Sequence, residues 1–175
     1  MNYTIVYSSI TGNTQIIAAA IKEVLNENNC LYYGKPDGIL TQDVEIVFVG
    51  FWVLRGSCPE EMKLYLRTLE NKKIFLFGTA GFGGSETYYD GIFAEVKQYI
   101  SESNIIIGSF MCQGKMTANV LERYQKLLKE KPEDDNILNM INNYTNALLH
   151  PDADDVEAVK LLVKRIFNET GFLPK

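Results

Sequence analysis

Two nearly uninterrupted apolar runs constrain the fold of this chain more than any other feature. They occupy residues 44–50 and 74–78, and each is rich in Val, Ile, Leu and Phe. A strand with one face in water alternates apolar and polar side chains, whereas a strand covered on both faces is apolar along its whole length. We therefore expect these runs to be central strands of a parallel sheet with helices on both faces.

The rest of the chain alternates strand and helix patterns around these two runs. Further strands are predicted at Ile5 and Val6, at residues 31–33 and at residues 104–110, and a turn is predicted at residues 34–38. Apolar residues at helical spacing predict helices over 15–25, 59–69, 88–100, 120–128, 137–148 and 152–166. Such alternation implies right-handed crossovers, and the ligand crevice then lies at the carboxyl ends of the strands.

The first of these strand ends carries the most specific motif. Residues 9–14 place Ser9, Thr11, Asn13 and Thr14 around Gly12, directly before the first helical pattern. A helix N-terminus presents free backbone N–H groups and a positive dipole end, so this turn is suited to an anion held by neutral donors. The simpler interpretation is a helix capped by Asn13 or Thr14, and both interpretations can hold together.

Composition narrows the class of protein. A length of 175 residues with 46% hydrophobic content suits a single globular domain, 1–175, with extra C-terminal helices from about residue 132. The net charge of -5 argues against a nucleic-acid surface and agrees with an acidic carrier that docks on basic partners. No leader or membrane span is recognisable, so we expect a cytoplasmic protein without a membrane partner. Cys30, Cys58 and Cys112 are too scattered for a disulfide framework or a metal site and are expected to be free thiols.

The loops after the central strands suggest the kind of ligand. The phosphate-binding motif of NTPases is absent, and Gly81-Phe82-Gly83 lacks the third glycine of a dinucleotide fingerprint. One anion loop beside aromatic loops suits a mononucleotide with a flat ring. Phe51 and Trp52 on one side, and Phe82, Tyr88 and Tyr89 on the other, would stack against that ring. FMN is the expected cofactor. For Trp52 the alternative is a core or partially buried aromatic that simply packs.

The spacing S-x-T-G-N-T after the first strand resembles the phosphate loop of flavodoxins. That resemblance implies a flavodoxin-like three-layer sandwich, with a five-stranded parallel sheet in the order 2-1-3-4-5. It also implies an FMN-dependent electron-transfer protein that works between a reductase and an acceptor, without catalytic residues or a metal. The FMN contacts that it implies are Ser9, Ile10, Thr11, Gly12, Asn13, Thr14, Phe51, Trp52, Val53, Thr79, Ala80, Gly81, Phe82, Gly83 and Tyr88.

Three further segments are similar to a narrower flavodoxin-like group of anaerobic bacteria, which includes the flavodoxin-like companion of bilirubin reductase. They are residues 50–52, 110–116 and 150–152. The chain departs from common flavodoxins in having Arg55 and Lys115 in loops beside the expected flavin. These cations leave an alternative open, a flavin-dependent oxidoreductase that acts on a small substrate such as a quinone or tetrapyrrole. His150 is expected to be a turn residue without a catalytic role.

Overall fold

The structure is a computed structural model, and it describes residues 2–36 and 43–168. Part of the turn predicted at residues 34–38 lies outside these ranges. The sheet consists of β1 Tyr3–Tyr7, β2 Cys30–Gly34, β3 Ile46–Trp52, β4 Lys73–Ala80 and β5 Ile105–Gln113. Its order is β2-β1-β3-β4-β5, and every neighbouring pair is parallel. The predicted architecture and strand order are therefore confirmed.

Helices connect the strands and cover both faces of the sheet. They are α1 Asn13–Val24, α2 Glu60–Leu66, α3 Glu86–Lys97, α4 Ala118–Glu130, α5 Asp135–Ala147 and α6 Ala153–Asn168, with a short 3-10 turn at Glu27–Asn29. Within the described residues, no helix combines the length and the apolar character that a membrane crossing requires.

Two apolar clusters lie on opposite faces of the sheet. On one face α1 and α6 pack over Ile5, Phe48 and Phe75. On the other face α2 and α3 pack over Val49 and Leu76. The central strands thus bury both sets of side chains, as their uninterrupted apolar character predicted.

Three strands extend further than the sequence predicted. β3 continues to Trp52, β4 to Ala80 and β5 to Gln113, so Phe51 and Thr79 belong to strands and not to loops. The apolar runs that predicted β3 and β4 end at Gly50 and Gly78, and glycine weakens a strand interior. The parallel ladder continues past both glycines, and at Gly50 the absence of a side chain leaves room for the ring of Phe77.

Candidate functional site

The turn between β1 and α1 leaves the first turn of the helix without a side-chain cap. Gly12 is the N-cap residue, with φ 84° and ψ -9°, and no side chain accepts a hydrogen bond there. The simpler prediction, capping by Asn13 or Thr14, is therefore wrong, because both residues already lie inside the helix. A left-handed backbone conformation at this position favours glycine. The turn leaves N–H groups at the positive end of α1 available to an anion.

Some side chains of this turn form hydrogen bonds inside the protein, and others include buried polar atoms that have no partner there. Thr14 is fully buried and shares a hydrogen bond of 3.0 Å with the Thr79 hydroxyl. The Asn13 amide nitrogen donates to the Thr11 hydroxyl at 2.7 Å and to the carbonyl oxygen of Lys115 at 2.9 Å. Two buried atoms, Ser9 Oγ and Asn13 Oδ1, have no hydrogen-bond partner. Buried polar atoms normally have hydrogen-bond partners. The Ser9 hydroxyl can donate a hydrogen bond, and a phosphate oxygen would accept one.

Hydrogen bonds hold the neighbouring strand ends together around this turn. The Val53 N–H donates to the carbonyl oxygen of Thr79 at 2.9 Å, and the Gly114 N–H donates to that of Ala80 at 2.9 Å. The Lys115 N–H in turn donates to the carbonyl oxygen of His150 at 3.2 Å. Backbone hydrogen bonds therefore join the carboxyl ends of β3, β4 and β5, and they connect the loop after β5 to the segment before α6.

A cavity of about 590 Å³ opens above this edge. It is lined by ten of the residues that the sequence assigned to the cofactor, namely Ile10, Thr11, Asn13, Trp52, Val53, Thr79, Ala80, Gly81, Phe82 and Tyr88. Trp52 is half-buried at the end of β3. It lines the cavity, so Trp52 is not a fully buried core residue.

The other predicted contacts do not line the cavity. Phe51 is fully buried and packs edge-on against Phe93, at a centroid distance of 6.2 Å, so its side chain cannot stack on a ligand. Gly83 lies against the side chain of Gln113, which explains its small size without a ligand. Ser9, Gly12 and Thr14 form the turn beneath the cavity and are not part of its lining.

The loop after β5, which the sequence placed beside the expected flavin, contributes Lys115 and Met116 to the cavity. Sequence analysis missed the wall next to it, which begins at Thr117 and contains Val120, Arg123 and Tyr124 of α4. Val120, Arg123 and Tyr124 are spaced to share one face of a helix. That spacing was visible in the sequence, but we interpreted its apolar members as core.

A second missed feature comes from α5. The side-chain amide of Asn143 donates to the carbonyl oxygen of Gly81 at 2.9 Å, and Gln113 Nε2 donates to the same oxygen at 3.1 Å and to Asn143 Oδ1 at 3.0 Å. These bonds fix the aromatic loop after β4. No sequence pattern indicated them, because the two residues meet only through the tertiary packing of α5.

The charges around the cavity are of one sign. Arg55, Lys115 and Arg123 line it and are exposed, and none of its described lining residues is a carboxylate, His or Cys. His150 lies elsewhere, with Nδ1 2.6 Å from a carboxylate oxygen of Asp155. The His150 side chain therefore belongs to the turn before α6, as predicted.

Comparison with known proteins places the chain in a family. The family model described as a flavodoxin domain matches residues 4–164. The chain belongs to the flavodoxin family. It falls in the group of the flavodoxin-like domain-containing protein BilS, being 40% identical to that of Clostridium symbiosum (strain WAL-14163), over 90% of this chain and 92% of the relative. The BilS of Clostridioides difficile (strain CD3) is 34% identical, over 95% of this chain and 96% of the relative.

Solved flavodoxins share the fold at low identity. Oxidised flavodoxin 2 from Bacillus cereus has a TM-score of 0.58 and 17% identity, with 97% of this chain and 99% of that chain covered. A flavodoxin from the domain Archaea has a TM-score of 0.53 and 14% identity, with 98% and 99% covered.

FMN is the cofactor of flavodoxins, and the residues present here fit it. The uncapped turn at Gly12 offers neutral donors to the phosphate, and the buried Ser9 hydroxyl lacks a partner inside the protein. Trp52, Phe82 and Tyr88 supply aromatic surface along the same cavity. This flavodoxin therefore has both parts of an FMN site.

Proposed function

We propose that this flavodoxin carries electrons between a reductase and an acceptor protein. FMN, when bound, supplies the one-electron and two-electron chemistry. The turn at Gly12 binds its phosphate, and Trp52 and Tyr88 orient its ring. The open cavity carries the proposal, because Phe82 and Tyr88 are 40% and 37% exposed and leave the ring region accessible to a partner.

The residues that line the cavity agree with an electron carrier, because transferring an electron requires no side chain that acts as an acid, a base or a nucleophile. The described lining contains no carboxylate, His or Cys. Location in the cytoplasm stays a prediction from the sequence.

A second candidate is a flavin-dependent oxidoreductase that acts on a small substrate such as a quinone or tetrapyrrole. The observation that favours it is the presence of Arg55, Lys115 and Arg123 along the cavity. These cations would hold an anionic group beside the ring.

Anaerobic assays distinguish the two functions. Purified protein is first loaded with FMN and its flavin absorbance recorded; failure to take up FMN would refute both functions. The loaded protein is then mixed with NADH or NADPH and a quinone, with and without an added flavodoxin reductase. The carrier requires the reductase for quinone reduction. Turnover by the protein alone at a comparable rate would show the enzyme instead.

A further inference from the structure

The mouth of the cavity has a charge opposite to that of the chain. We define the mouth as six of the exposed residues that line the cavity, namely Ile10, Leu54, Arg55, Phe82, Lys115 and Arg123. We propose that the mouth is a docking face for a redox partner whose own contact surface is acidic. This inference rests on the proposed carrier function, and it reverses the basic partner that the net charge of -5 suggested.

Three separate segments bring the cations of the mouth together. Arg55 comes from the loop after β3, Lys115 from the loop after β5 and Arg123 from α4. They are far apart in the sequence, yet all three line one cavity. The fold therefore concentrates positive charge at the opening through which a partner would reach the flavin.

These cations are not neutralised within the described part of the protein. The ion pairs of the described residues involve Lys63, Lys160 and His150, and none involves the cations of the mouth. Arg55 also lines a neighbouring depression that contains the carboxylates of Glu60 and Glu95. The positive charge of the mouth therefore depends mainly on Lys115 and Arg123. Unpaired surface charges of one sign steer an oppositely charged partner during encounter.

The apolar members of the mouth complete a contact surface. Ile10 is 63% exposed, and Leu54 and Phe82 are each 40% exposed. Apolar side chains that cluster at one opening with charges beside them are typical of interaction surfaces. The apolar residues would be buried on contact, while the cations align an acidic partner.

The sequence after β5 extends the positive surface away from the cavity. Residues 115–131 contain the cations Lys115, Arg123, Lys126, Lys129 and Lys131 against the two carboxylates Glu122 and Glu130. The segment that follows, residues 132–157, contains Asp and Glu but no Lys or Arg. This change of sign along the chain would give an approaching partner an orientation as well as an attraction.

Redox probes of opposite charge test the local charge directly. FMN-loaded protein is reduced with dithionite, freed of excess reductant, and mixed with ferricyanide or with hexaammineruthenium(III), each of which accepts one electron from the reduced flavin. We expect the ferricyanide rate to fall severalfold as salt is raised from about 10 mM to about 500 mM, because salt screens attraction. The ruthenium rate should rise or stay constant. The reverse pattern, which the net charge alone predicts, would overturn the proposal.

A matched pair of double variants assigns the effect to the mouth. Lys115→Glu with Arg123→Glu should invert the salt dependence for ferricyanide. Lys164→Glu with Arg165→Glu makes the same change in net charge at exposed positions of α6 and should leave the sign unchanged. An equal effect of both pairs would show that overall charge controls the rate, and would overturn the proposal.

Protein probes separate a docking face from a site for small anions. Acidic cytochrome b5 should accept electrons faster than basic cytochrome c at low salt, after correction for their driving forces, and this advantage should disappear in the mouth variant. If ferricyanide behaves as expected but cytochrome b5 has no advantage, the cations serve a small anion and the docking proposal fails. FMN uptake is measured beforehand, so a protein without flavin absorbance refutes the carrier function separately.

Discussion

The side-chain amide nitrogen of Asn13 lies 2.9 Å from the carbonyl oxygen of Lys115 and so joins the phosphate turn to the loop after β5. Gly114 allows this approach, because a Cβ atom there would lie 2.7 Å from the same nitrogen. The turn proposed to bind the phosphate and the loop that brings Lys115 to the mouth are therefore held in one arrangement.

Replacing Asn13 by Ala should loosen FMN. The variant loses the bonds to Thr11 and Lys115, each worth about 1 kcal/mol, so we expect an increase of about thirtyfold in the FMN dissociation constant, since about 1.4 kcal/mol corresponds to tenfold. Titration of the apoprotein followed by flavin fluorescence measures this change. Asn139→Ala, at an exposed position of α5, is the matched control. Equal affinity of the Asn13 variant and the wild type would contradict the bracing role.

Gly12→Asp and Gly12→Asn isolate the charge of the phosphate. Both side chains tolerate the left-handed conformation similarly, and an ideal Cβ at Gly12 meets nothing within 4 Å. The carboxylate should weaken FMN at least tenfold more than the amide does, because it repels the phosphate dianion, whereas riboflavin should bind both variants equally. If Asp and Asn weaken FMN to the same extent, the phosphate does not bind at this turn.

Trp52 and its neighbour Phe51 should have separable effects. Trp52→Ala should weaken FMN and raise the fluorescence of the bound flavin, since a stacked indole quenches it, with little loss of stability. Phe51→Ala should instead lower the free energy of unfolding by about 3–5 kcal/mol, because it leaves a cavity in the core. Urea unfolding and flavin fluorescence of both variants measure the two effects. If the fluorescence of the bound flavin is unchanged in Trp52→Ala, the indole does not stack on the flavin ring.

Lys115→Gln should make the flavin harder to reduce. Reduction adds negative charge to the flavin, and a nearby cation stabilises the reduced form. A loss of about 1.4 kcal/mol corresponds to about 60 mV for one electron, so we expect a midpoint potential lower by tens of millivolts. Spectroelectrochemical titration at two ionic strengths measures it, with Lys164→Gln as the control at an exposed position of α6. A potential that does not move would place the ammonium outside the field of the ring.

The buried thiol of Cys58 should make the fold sensitive to alkali. Burial raises its pKa from 9.0 to about 11. The unfolded chain releases this proton first, so the stabilising contribution is complete below about pH 9 and is lost as the pH rises towards 11. Urea midpoints measured under reducing conditions between pH 7 and pH 11 should fall less steeply in Cys58→Ala than in the wild type. Parallel curves would contradict this assignment.

The sequence predicted those parts of the site that depend on local pattern. Continuous apolar residues fix the covered strands, and the turn around Gly12 and the placement of Trp52 follow from the strand ends. The extension of β3 through Phe51 was missed because Gly50 interrupts the apolar run, although the ladder continues past it. Asn143 and Arg123 were missed for a different reason. Their positions depend on how α4 and α5 pack against each other and on how α5 meets the loop after β4. Helical spacing along either segment does not reveal these contacts.

The wall that carries Arg123 is attached to the protein in an unusual way. Among the described elements, α4 makes its extended contact with α5, and this pair lies between β5 and α6 in the chain. Substitutions at exposed positions of α4 outside the cavity lining should therefore leave the strands and the turn at Gly12 undisturbed. In evolutionary terms, the proposed docking surface can change among related chains while the turn proposed for the phosphate stays the same.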